Sequence, residues 1–234
     1  MPTADPAVTA LGAIGAYNVV QNLVIPDAGY VPSNLVAAAA LIALARRSGM
    51  SYADIGLGSA RLRSGLGLGG LVAAGVGSAF MGGARGGRFD RWLLDERARG
   101  HGRAGAACRS LVRFPVGTAL FEELAFRGVL DGLWRRRGGD RAAGVVTAAA
   151  FGAWHLVPTY RLYPGMGLGA GAQASRSERL WASLGGAAVT AASGYGFTWL
   201  RRRSGNVAAP WLVHAAYNVG GYLAGRRAWQ RLSS

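Results

Sequence analysis

The chain has 234 residues, room for one domain and not comfortably two. Hydrophobic residues make up 51% and Gly fills another 38 positions, which leaves little to solvate a surface. A net charge of +15, carried by Arg with no Lys at all, first suggests nucleic acid. The placement excludes that reading, because the Arg residues bracket long apolar stretches instead of gathering in one patch. The lone cysteine, Cys108, rules out an internal disulfide. The first residues show neither a basic n-region nor a cleavage-like site, so no signal peptide is expected.

A bilayer core of about 30 Å needs roughly 20 apolar helical residues to cross it. Read from charge to charge, the sequence supplies that length seven times: 6–26, 28–45, 64–84, 114–134, 142–160, 180–200 and 204–225. The spacing predicts an all-α, polytopic membrane bundle of about seven transmembrane helices, with residues 1–234 forming one membrane domain. Gly and Ala dominate the windows, as expected where small residues let helix backbones approach in lipid. Gly65-Leu66-Gly67-Leu68-Gly69-Gly70 matches a dinucleotide fingerprint literally. It has no preceding strand and no helix start, so helix packing is the better reading. Residues 85–113 hold eight Arg around Trp92, Leu93 and Leu94, which predicts an amphipathic segment at the interface. Residues 161–179, rich in Gly, read as a loop or a re-entrant piece. Seven spans would leave eleven Arg on one side and fourteen on the other, and the positive-inside rule does not separate these.

Ionisable groups inside a span cost about 2.5–3.5 kcal/mol each on insertion scales, which makes them functional candidates. Apart from tyrosines, those well inside a window sit on three windows only: Glu122, Glu123 and Arg127 on the fourth, His155 on the fifth, His214 with Asn218 on the seventh. Glu123 and Arg127 are four apart and share a face, so they can pair. Glu122 is rotated by about 100° from Glu123 and is free to face a cavity. Phe151 lies one turn from His155, and His214 and Asn218 present two polar groups along one face. The Glu123–Arg127 pair alone also fits a structural clamp between helices. Two Glu and two His on three helices fit a catalytic site better.

Glu122-Glu123-Leu124-Ala125-Phe126-Arg127, Phe151-Gly152-Ala153-Trp154-His155 and His214-Ala215-Ala216-Tyr217-Asn218 stand in this order on separate windows. In these motifs the chain resembles the CPBP family, the CAAX proteases and bacteriocin-processing enzymes also called the Abi family. Tyr52-Ala53-Asp54-Ile55-Gly56-Leu57 looks like the family's short segment ahead of its core, so the likeness covers about residues 50–225. The resemblance implies an intramembrane endopeptidase that cuts a membrane-associated or lipidated peptide or protein. By the match, Glu122 would be the general base and His155 would hold the water. His214 and Asn218 would stabilise the oxyanion, with Glu123 and Arg127 fixing the geometry. Whether a divalent metal such as zinc takes part is left open, since His155, His214 and a Glu also make a zinc-like set. The alternative is a non-catalytic membrane protein, an immunity factor, scaffold or proton-coupled transporter, with the same polar cluster. The expected partners are the substrate and the lipid bilayer, with no nucleic acid. The expected place is the cytoplasmic membrane of a bacterium.

Overall fold

A computed structural model of the chain describes residues 4–162 and 175–233, the side chain of Glu96 excepted. Helix α1 (Pro6–Leu23) begins where the sequence says it should. The Asp5 carboxylate accepts from the amides of Ala7 and Val8 at 2.8 and 3.3 Å, and Pro6 fills the first helical position. Helix α2 (Tyr30–Arg47) ends on two cations at the negative end of its dipole. Helix α3 (Leu62–Gly83) follows a linker, and a single turn, α4 (Asp90–Leu93), follows α3. Then α5 (Arg103–Cys108) runs through two wide π-helical stretches, Arg109–Leu120 and Glu123–Leu130, into α6 (Asp131–Trp154). Pro115 lies inside the first of these; it lacks an N–H and cannot close an ordinary turn, which favours a wide one.

The run from Arg103 to Trp154 cannot be one straight rod. Glu122 and Trp154 touch at 3.1 Å, yet 32 residues of straight helix would part them by roughly 48 Å. The chain turns back at Gly139, whose φ of 78° and ψ of −179° suit only a residue without Cβ. Helices α7 (Leu156–Leu162), α8 (Arg176–Ser204) and α9 (Ala208–Leu232) complete the bundle. The structure is therefore all-α, with no strand among the described residues and seven long helical limbs, close to the number expected from the windows.

Ion pairs and backbone bonds define the two ends of the bundle. At one end Arg113 meets Asp27 at 2.9 Å, and Trp229 donates to the Asp95 carbonyl at 3.0 Å. At the other, Arg136 meets Asp54 at 3.0 Å, Arg202 meets Asp131 at 2.5 Å, and the Val207 amide donates to the Gly56 carbonyl at 2.9 Å. The expected interfacial segment, residues 85–113, is only partly separate from the spans. Residues up to 102 form short turns with Phe89 and Trp92 exposed, whereas 103–113 already belong to the long helix. Of the expected loop, residues 163–174 lie outside the described residues.

The outside and inside of the bundle are inverted relative to a water-soluble protein. Val8, Val19, Leu23, Val36, Leu71, Val189 and Trp199 are exposed, while Asn18, Gln21, Asn34, Glu122, Glu123, Arg127 and His214 are buried. Against lipid, apolar side chains face outward at no cost, and polar groups must find partners within. Three stretches, 27–47, 59–83 and 103–161, are long and apolar enough to cross a membrane by length and composition.

Candidate active site

The neighbouring glutamates diverge, and each has its own partners. Glu123 is fully buried, and one of its oxygens, Oε1, takes two bonds. Arg127 Nη1 lies 3.1 Å away and His214 Nδ1 2.8 Å away. The guanidinium stacks over Phe151 with its carbon 3.9 Å from the ring centroid, and Phe197 lies at 5.2 Å. Gly194 makes room for it, since a Cβ there would stand 2.9 Å from Arg127 Nη2. Pairing is what lets a guanidinium sit in so dry a place.

Glu122 turns the other way. Its Oε1 accepts from the Trp154 indole at 3.1 Å. Its Oε2 is buried without a hydrogen-bond partner and lies 3.9 Å from His155 Nε2 and 3.7 Å from His214 Nε2. The two rings reach this point in the same way. His155 Nδ1 is 2.8 Å from the Phe151 carbonyl, and His214 Nδ1 is on Glu123. A carbonyl and a carboxylate only accept, so each Nδ1 carries a proton and each Nε2 turns toward Glu122. Phe151 lies edge-on to His155 at 4.6 Å between centroids, and Phe197 stacks on His214 at 5.2 Å. His155 stands at the end of a limb running back from Gly139 for about fifteen residues, or roughly 22 Å, short of a full crossing. The helix stops at Trp154, with His155 as its C-cap. Asn218 is one turn beyond His214, and its Nδ2 is buried with no partner.

Five of the six residues predicted from the sequence, Glu122, Glu123, Arg127, His155 and His214, are thus linked by contacts, and Asn218 follows His214 by one turn of the same helix. The sequence reading missed Trp154, and it missed Tyr17, Asn18, Gln21 and Asn34 on the first two helices. Asn18 donates to the Trp154 carbonyl at 3.0 Å, and Asn34 donates to the Gly117 carbonyl at 2.8 Å. Carboxamides inside apolar windows are a signal that a search for charges passes over. Among the described residues no group of three or more His, Cys, Asp or Glu is arranged to hold a metal ion. The zinc-like set of His155, His214 and a Glu does not close into a cage here.

A buried set of two carboxylates, two imidazoles and a paired guanidinium inside a polytopic helical bundle defines a class, an integral membrane protein with a buried polar centre. Residues 105–220 match the family model described as Type II CAAX prenyl endopeptidase Rce1-like. The matched segment, just under half of the chain, includes Glu122, Glu123, Arg127, His155, His214 and Asn218. No curated protein and no solved structure matches the chain.

Proposed function

We propose that the chain is an intramembrane endopeptidase in which Glu122 activates a water held between its Oε2 and the two imidazoles. The observation that carries this is the buried, partnerless Oε2, within 4 Å of both Nε2 atoms. A water between them can donate to Glu122 and to one imidazole, leaving an oxygen lone pair for attack. In the reaction the water oxygen bonds to the scissile carbonyl carbon and its proton passes to Glu122. The carbonyl oxygen takes up the negative charge, and the Asn218 Nδ2–H, which has no other bond, donates to it. Donors fixed in a dry site contribute several kcal/mol to such a step. Glu122 then delivers its proton to the leaving nitrogen as the C–N bond breaks, giving an amine and a carboxylic acid, and the acid passes the second water proton to the amine as it leaves as a carboxylate. Glu123 and Arg127 keep His214 upright throughout. The substrate is a peptide or protein at the membrane, and a lipidated one fits the family.

Glu122→Gln and His155→Ala are expected to lower cleavage of a membrane-tethered peptide by about 10²–10⁴-fold each while leaving membrane insertion intact. Activity assays on the purified protein in lipid, with and without a chelator, test both the base and the metal. Near-normal turnover by a folded Glu122→Gln protein removes the mechanism. Chelator-sensitive activity restored by zinc would replace it with a metal-assisted one.

A further inference from the structure

The first two helices, which lie ahead of the family-matched segment, reach into the site. Asn18 and Gln21 on α1 and Asn34 on α2 are buried, in a region where a polar side chain without a role is costly. The Asn34 side-chain oxygen accepts from both Tyr17 Oη and Gln21 Nε2, which fixes the orientation of its amide. Its Nδ2 is thereby aimed at the Gly117 carbonyl, five residues before Glu122 in the wide-turned helix. Asn18 Nδ2 holds the Trp154 carbonyl, at the end of the limb that carries His155. Between them stands the Trp154 ring, set against Phe121 at 5.4 Å, Phe126 at 5.8 Å and Tyr17 at 6.3 Å. Its N–H is the one hydrogen bond found on Glu122 among the described residues. Each free carboxyl group has two oxygens, and the bond from Trp154 decides which one faces the imidazoles.

We propose that Trp154 is a positioning residue that orients the Glu122 carboxylate, and that Asn18 and Asn34 hold Trp154 and the Glu122 turn in register. The first two helices are then part of the catalytic apparatus and not only its wall. The inference rests on the peptidase reading for its kinetic test, and a spectroscopic test stands beside it that does not.

Trp154→Phe keeps the ring and removes the N–H. A hydrogen bond to a charged group predicts a drop in kcat of about 10- to 100-fold with KM little changed. The acid limb of the kcat/KM profile should also move to higher pH, because a carboxylate that has lost a donor takes up a proton more readily. A purely structural loss would not move that limb. Asn18→Leu, close in shape, should lower kcat in the normal protein and add little in the Trp154→Phe background. The exposed Trp181→Phe serves as control and should leave both kcat and the profile unchanged. An active enzyme whose Trp154→Phe variant keeps the normal rate and pH profile would overturn the proposal. Independently, the indole N–H resonance that disappears in Trp154→Phe should shift when Glu122 becomes Leu in the full-length protein. That shift in a protein without peptidase activity would keep the positioning contact and discard the peptidase reading. Its absence would discard the contact.

Discussion

Glu123 accepts from Arg127 and from His214 through one oxygen, so it joins the charge balance of the site to the orientation of an imidazole. Glu123→Ala leaves a fully buried guanidinium without its partner and His214 Nδ1 without its acceptor. Arg127→Ala leaves a buried carboxylate held only by His214. Each single change should destabilise the protein by roughly 3–5 kcal/mol, the usual result of breaking a buried pair. The double variant should cost clearly less than the sum, by more than about 1 kcal/mol, because the second deletion removes a charge already stranded. Unfolding of the four proteins of this cycle in detergent measures the coupling. Additive losses would mean that the two side chains stabilise the bundle separately.

At the level of the helix, close packing depends on particular glycines. A Cβ at Gly69 would stand 2.6 Å from Ala209 Cα, and one at Gly152 would stand 2.5 Å from the Ala187 carbonyl oxygen. Both obstacles are backbone, which cannot swing aside. Gly67, two residues from Gly69, has open space around it. Gly69→Ala should therefore separate α3 from α9 and cost about 1–3 kcal/mol, whereas Gly67→Ala should be neutral or slightly stabilising. Gly152→Ala should in addition reduce activity, since it pushes on the limb that ends at His155. Melting curves and turnover of the three variants check this ordering, and equal effects at 67 and 69 would contradict it.

The linker between α2 and α3 carries a pH-dependent contact. The Ser51 backbone amide and then the Ser51 hydroxyl hold the Asp54 carboxyl below its ordinary value, and Arg136 adds to the effect. A carboxyl depressed in the folded state stabilises the fold above its unfolded value, and that share is lost as pH falls through the folded one. Asp54→Asn should thus melt below the normal protein near pH 7, and the gap should close below about pH 4. A gap that persists in acid would show that the residue acts by shape and not by charge.

Across the whole molecule, the chain ends and connections sort onto two faces. Asp54, Arg136 and Gly205 mark one, and Asp27, Trp92 and Trp229 mark the other. Glu122 lies about nine residues in from Arg113, or roughly 13 Å of ordinary helix, so the site is expected to open toward the second face. Because Cys108 is the one native cysteine and is exposed, a Cys108→Ser background permits single-site labelling. Cysteines at positions 92 and 177 should react with an impermeant reagent from the same side of the membrane, and one at position 59 from the opposite side. The second face is expected to be cytoplasmic, so that intact cells protect 92 and 177. Labelling of 92 and 177 from outside would reverse the orientation, and labelling of 92 and 177 from opposite sides would break the topology.

Much of this was legible in the sequence because the bilayer imposes local rules. A span must be long, helical and apolar, so the intervals between charges give the helices, and any charge left inside one marks the site. The spacing of Glu123 and Arg127 gave their pair, since four residues of helix fix two side chains on one face. Spacing is silent about contacts between helices. Nothing local says that Glu123 also holds His214, ninety-one positions on, or that Trp154 holds Glu122. Nor does it say that amides from α1 and α2 brace carbonyls on the helices that carry Glu122 and His155. Those contacts exist only once Gly139 reverses the chain and small residues bring the helices together, so tertiary structure alone decided them.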